Sequence, residues 1–215
     1  MTVKLVHRTD GAEALIAYMA RVSNPQNQNN AETAPQLIRY LMKHKHWSPF
    51  EMASMCVMIE TERDIAAQIL RHGKAFAFQE FSTRYARSSI AEIPRFRRQD
   101  HKNRQNSFDD LSPQQQADLE GKAADLITHS FKLYYEMVEQ GVARECARRL
   151  LPLCTPTVLY MHGNLRSWIH YIQLRSGPET QLEHRQIAEK CMKIFCAEFP
   201  VIGEAAFGMA TSKKD

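Results

Sequence analysis

The sequence predicts a single domain of mixed type in which helices outnumber strands, and three observations carry that prediction. A chain of 215 residues, 44% hydrophobic and 24% charged, can bury a sizeable core. Several stretches place apolar residues at helical spacing. Two shorter runs, VKLVHRT at residues 3–9 and MASMCVMIETE at 52–62, are rich in apolar and β-tolerant residues and read as strands.

The elements follow in order. After the first strand, Asp10 and Gly11 make a turn into an amphipathic helix over residues 12–22, and the polar run 23–33 is a loop. A second helix is predicted over 34–45, its apolar face supplied by Leu37, Tyr40 and Leu41, and Pro49 stops helical structure. The strand at 52–62 leads into a helix with Ile65, Ile69 and Leu70 inward and Gly73 as its C-terminal cap. FAFQEFSTRYA, residues 76–86, reads as a loop leading into a strand. RFRRQDHKNRQNS, residues 95–107, reads as a mobile charged connection or an anion-contacting flap. Ser112 as N-cap and Pro113 at the first position open a long helix that ends near Gly141. Helices are predicted over 143–151, 157–175 and 179–199. No repeat or interdomain linker interrupts the series.

Charge and cysteine content narrow the function classes. A formal net charge of +4 and a pI near 8.8 are too mild to diagnose nucleic-acid binding, but suit anionic small molecules if the charge is concentrated locally. The five cysteines, Cys56, Cys146, Cys154, Cys191 and Cys196, form no CxxC pair and read as reduced, mostly buried thiols. No signal-peptide run and no membrane-length apolar run is seen, so a cytoplasmic location is expected. GxGxxG, Walker A and HExxH motifs are absent, the histidines form no ligand set, and no metal site is expected.

Three clusters remain. QILRHGKAFAFQEFSTRY, residues 68–85, gathers Arg71, His72, Lys74 and Arg84 for phosphate contacts, with Glu80 and Ser82 able to orient a base or ribose. The same residues also read as an exposed salt-bridge cluster over a core of Phe76, Phe78 and Phe81. ARECARRLLPLCTP, residues 143–156, places Arg144, Glu145 and Arg148 on one helical face, where surface ion pairs are the alternative. Asn164, Trp168, Tyr171 and Arg175 share a narrow helical stripe that could clamp a planar ligand or face the core.

Four ordered blocks carry a family resemblance: HWSPFE at 46–51, QILRHGK with QEFSTRY across 68–85, GVARECARRLLPL at 141–153 and NLRSWIHYIQLR at 164–175. In these blocks the chain resembles the flavin-dependent thymidylate synthases. The resemblance implies an α+β fold, helices around a small, mainly antiparallel sheet, assembled as a homotetramer whose active sites draw on several chains. It implies reductive methylation of dUMP to dTMP, with methylenetetrahydrofolate as carbon donor, FAD as hydride relay and NADPH as reductant, and no membrane or nucleic-acid partner. Carried over, the dUMP-binding set is Gln68, Arg71, Glu80, Phe81, Ser82, Thr83, Arg84, Arg148 and Arg175, with Arg175 the catalytic arginine that polarises the pyrimidine. The cofactor set is His46, Ser48, Arg71, His72, Lys74, Gln79, Glu80, Asn164, Leu165, Arg166 and His170. Nine residues separate His72 from Ser82, one more than in the family signature. Either Gly73 replaces the second signature arginine, or Gly73 is inserted and Lys74 takes that place, which keeps QEFSTRY in register. Same-class and different-class alternatives are an enzyme modifying another pyrimidine nucleotide, and a non-catalytic nucleotide or nucleic-acid binder favoured by the basic run at 95–104.

Overall fold

A computed structural model describes residues 1–208 of the chain. Strand β1 (Thr2–Arg8) is followed by helices α1 (Ala12–Ala20) and α2 (Ala34–Lys43). Strand β2 (Ser54–Glu62), helix α3 (Arg63–Leu70) and strand β3 (Ala77–Glu80) come next. A small pair, β4 (Arg98–Gln99) and β5 (Ser107–Phe108), precedes the long helix α4 (Pro113–Glu139). The chain continues with α5 (Arg144–Ala147), β6 (Pro156–Asn164), α6 (Leu165–Arg175), α7 (Leu182–Glu198) and α8 (Pro200–Phe207).

The main sheet has the order β1-β2-β6-β3. Backbone bonds where strands begin and end fix its direction. Thr9 donates to Ser54 (3.0 Å), Leu165 to Ala53 (2.9 Å), Arg63 to Thr155 (3.0 Å) and Phe81 to Val158 (2.8 Å), so successive neighbours run antiparallel. The α+β class and the antiparallel sheet implied by the family blocks are therefore what the chain forms.

The chain divides into two compact units. Unit 1 holds Glu60–Arg71 and Gln79–Leu159; unit 2 holds Thr2–Ile59, His72–Phe78 and the chain from Tyr160 onward, and β2, β3 and β6 run from one into the other. In unit 1, α4 buries Ile127 and Phe131 with Ala91, flanked by Tyr135, Leu151 and Cys154. In unit 2, α2 packs on α1 and α8, and α7 on α6, α8 and β1. Glu13 on α1 accepts from the Val201 and Ile202 amides (2.7 and 3.0 Å) and so satisfies two of the free donors at the start of α8. No helix among the described residues is long and apolar enough to cross a membrane.

Several sequence expectations are corrected. Residues 157–164 form a strand and not the first half of a helix; the helix begins only after Asn164, whose side chain caps it by accepting from Ser167 N–H (2.8 Å). β-branched and aromatic residues at Thr157, Val158 and Tyr160 suit a pleated surface better than a helix. In residues 76–86 the strand comes first and the loop second. The α2 face centres on Ile38, Leu41 and Met42, with Tyr40 exposed, and Pro49 sits inside a short 3-10 turn at Ser48–Glu51. Arg71, not Gly73, caps α3. Residues 95–107 are no structureless connection: β4 pairs with β5, and Arg95 and Arg98 bind Asp109 and Asp110 (2.9 and 2.6 Å). Glu145 pairs with Arg84 (3.3 Å) and not with Arg148. Cys146 is exposed and Cys154 lies half-buried in a turn. Helix α8, unforeseen, begins at Pro200.

Candidate active site

In unit 1 the predicted nucleotide residues Glu80, Phe81, Ser82, Thr83 and Arg84 follow in line from the end of β3, whereas Arg175 of the same set belongs to unit 2. Glu80 closes the strand, half-buried, and its Oε1 accepts from Thr157 Oγ1 at 2.8 Å with Arg63 Nη1 at 3.5 Å. Phe81 leaves the sheet. Ser82 then organises a tight turn: its Oγ accepts from Arg84 N–H (3.3 Å), and its carbonyl accepts from the Tyr85 and Ala86 amides (3.1 and 3.2 Å). Thr83 is buried, whereas Arg84 is exposed and held by Glu145. Gln68 lies on α3 and Arg71 caps it. Arg148 is half-buried on the 3-10 turn after α5, and Gln79 is exposed on β3.

In unit 2 four of the predicted flavin residues line a space at the start of α6. A cleft of about 490 Å³ is lined by Lys74, Asn164, Arg166 and His170 from the predicted set, together with Trp47, Glu51, Ala75, Ser167, Ile169 and Gln173. Arg166 is ion-paired to Glu51 across it. The positive end of the α6 dipole adds to the two cations, which suits an anionic group, while Trp47 and Ala75 offer apolar surface to a ring. Leu165 is fully buried and its amide is taken by Ala53, so its side chain does not line this space. Ser48 and His46 are exposed, outside the cleft lining; His46 lies near Tyr40 and His44.

At the far end of α6, Arg175 donates from Nε to His72 Nε2 at 3.0 Å. That bond requires an unprotonated Nε2. Burial, then the Arg175 guanidinium and His170 nearby, push the His72 pKa down to about 4, so the imidazole is neutral and carries its proton on Nδ1. His72 meets the Tyr171 ring edge to face (5.1 Å), and the Tyr171 hydroxyl lies 3.1 Å from His184 Nε2. Burial holds Tyr171 protonated, raising its pKa well above the ordinary value, and brings His184 down to about 4. The aromatic stripe foreseen in the sequence is thus core: Trp168 and Tyr171 are fully buried, and Trp168 Nε1 donates to the Met55 carbonyl (2.9 Å).

Sequence reasoning missed Arg63, which carries no motif signal, and Thr157, hidden in a misread helix. Trp47 and Glu51 lay within a recognised block, and that block was their only signal.

The sequence pattern of the thymidylate synthase complementing protein family matches residues 4–201. A probable flavin-dependent thymidylate synthase of Paramecium bursaria Chlorella virus 1 is 50% identical over 208 residues, 95% of each chain. This chain belongs to the flavin-dependent thymidylate synthase family. A flavin-dependent thymidylate synthase from Synechocystis sp. is 47% identical over 193 residues, covering 90% of this chain and 88% of the relative. Among solved structures, the UMP/dUMP methylase PolB from Streptomyces cacaoi bound with 5-Br dUMP has a TM-score of 0.86 at 27% identity, over 97% of this chain and 95% of that one. PolB bound with 5-Br UMP gives 0.82 at 28% identity, over 95% and 92%. The four sequence blocks thus identified a flavin-dependent thymidylate synthase family member.

Proposed function

We propose that this protein is a cytoplasmic enzyme that methylates dUMP to dTMP. The observation that carries the reading is the Arg175–His72 bond: a neutral imidazole fixes the guanidinium through Nε, which would leave the Nη donors for the pyrimidine. A fixed cation beside the ring stabilises negative charge developing at N3 and makes C5 more nucleophilic, without surrendering a proton. Thiolate activation of the ring finds little support at four of the five cysteines. Burial raises the Cys56, Cys154, Cys191 and Cys196 thiols, Cys191 to about 12.

The unit 2 cleft fits FAD by its donor set. Lys74, Arg166, the start of α6 and His170 would hold phosphates and polar ring edges; Trp47 and Ile169 would exclude water. The position of Lys74 in that lining favours Gly73 as the insertion and Lys74 as the stand-in for the signature arginine. The chemistry supplied by a bound flavin is hydride delivery, with NADPH as reductant and methylenetetrahydrofolate as one-carbon donor. In unit 1, Arg71, Arg84 and Arg148 would hold the nucleotide phosphate, and Gln68, Glu80, Phe81, Ser82 and Thr83 its base and ribose. The enzyme would work as a homotetramer with sites drawn from several chains; mixing inactive Arg175→Ala and Ser82→Ala proteins should then restore turnover. The decisive assay supplies dUMP, NADPH and methylenetetrahydrofolate to the flavin-loaded protein. Formation of dTMP is expected; its absence sinks the reading.

A second reading, activity on UMP, is favoured by the likeness to PolB bound with 5-Br UMP. Competition between UMP and dUMP for turnover separates the two.

A further inference from the structure

Arg63 opens α3 and belongs to none of the recognised blocks, yet it reaches the strip assigned to the nucleotide. Its Nη2 donates to the Phe81 carbonyl at 3.2 Å. Its Nη1 lies 3.5 Å from Glu80 Oε1, the oxygen that Thr157 Oγ1 also binds at 2.8 Å. The second contact is long for a hydrogen bond and acts mainly through charge; the carbonyl contact is the directional one. The Arg63 backbone is itself fixed, with its amide on Thr155 O (3.0 Å) and the Asp64 amide on Leu153 O (3.2 Å). Four residues along the loop, Arg144 Nη1 donates to the Tyr85 carbonyl at 2.8 Å.

Both arginines therefore grip the backbone of the same loop, one at its first residue and one at its fifth. Between them lie Ser82, Thr83 and Arg84. Because the two loop acceptors are carbonyls, the grip on residues 81–85 leaves their own side chains to a ligand, and Glu80 is the one ligand-assigned side chain that Arg63 also faces. We propose that Arg63 and Arg144 are positioning residues that clasp the loop of residues 81–85 at both ends, shaping it for a pyrimidine nucleoside monophosphate before one arrives. The inference rests on the nucleotide role given above to Ser82–Arg84. A loop already held loses less freedom on binding, so the clasp acts on affinity and leaves the chemical step alone. A planar fork can serve a carbonyl and a carboxylate together, which lysine does poorly.

The test is amide hydrogen exchange on the ligand-free full chain, joined to steady-state kinetics. In Arg63→Met, exchange at the Arg84, Tyr85 and Ala86 amides is expected to rise about tenfold or more while α4 and α6 keep their protection. The KM for dUMP is expected to rise about tenfold with kcat within about threefold. Arg63→Lys should recover part of both effects, and Arg144→Met should loosen the same amides from the other end. Should Arg63→Met not fold, Arg144→Met carries the test. Unchanged exchange at residues 84–86 overturns the clasp, as does equal acceleration in α4, which would mark a general loss of stability. Faster loop exchange in a protein whose wild type makes no dTMP would keep the clasp and sink the nucleotide assignment.

Discussion

Arg175 and Arg84 are both assigned to ligand, but their supports differ in kind. Arg175 ends a helix with a fully buried aromatic seam and leans on a neutral imidazole, which in turn meets Tyr171, with Tyr171 bonded to His184. Arg84 stands in an exposed turn and faces a carboxylate, Glu145, with both side chains more than half exposed. The first is fixed by packing and carries no opposite charge; the second is held by a solvent-screened pair that an incoming anion can replace. On the proposed roles, the arginine that would act during chemistry is built on core, and the arginine that would yield its partner to a phosphate is built on surface.

Removing Arg175 should have the largest effect. In Arg175→Ala, turnover is expected to fall by about 10²–10³ with flavin still bound, since one fixed charge-stabilising donor is lost; near-normal turnover in the flavin-loaded variant would break the comparison. The seam itself is tested at Gly163. A Cβ there would lie 2.5 Å from the Phe76 ring, which is buried against Trp168 and Tyr171, so that ring would have to shift. Gly163→Ala should cost about 1–3 kcal/mol in denaturant unfolding. Acid should act on the same seam: His72 and His184 are neutral when folded, with pKa near 4 against an ordinary 6.5. The unfolded chain binds these protons first, so their contribution is complete above about pH 6.5 and is lost as pH falls toward 4. Thermal unfolding between pH 7 and 4 should show Tm falling on acidification, and by less in His184→Gln. Glu145→Gln, on the surface side of the comparison, should change stability by less than about 1 kcal/mol. Smallest of all, Cys146→Ala and Cys154→Ala should keep turnover; loss in a folded, flavin-loaded variant would reopen the thiolate question.

How far the sequence could be read follows from where its signals are local. The Ser112 cap with Pro113 marks the start of α4, and the structure has Ser112 and Gln115 bonded reciprocally there. β6 and α6 read as one helix because apolar residues recur on both sides of His162–Asn164 in TVLYMHGNLRSWIHYIQLR, and period alone does not separate a buried strand from a buried helix. Asn164 was the missed punctuation, since it caps by side chain. The hairpin at β4 and β5 depends on Arg95 and Arg98 meeting Asp109 and Asp110 across 14 and 12 residues, a pairing no periodicity reveals. At the candidate site, recognised blocks led to Arg84, Asn164 and Arg175. Arg63 escaped because it acts on a carbonyl, and any residue type can supply a carbonyl.

Glu13 adds a constraint on biosynthesis. Its carboxylate is half-buried, burial raises its pKa, and its two amide donors lie 188 and 189 residues further along. At about 5–20 residues per second, a ribosome takes roughly 10–40 seconds to deliver them. Helix α1 must wait that long for these two donors, so unit 2 is closed late, by the last helix among the described residues.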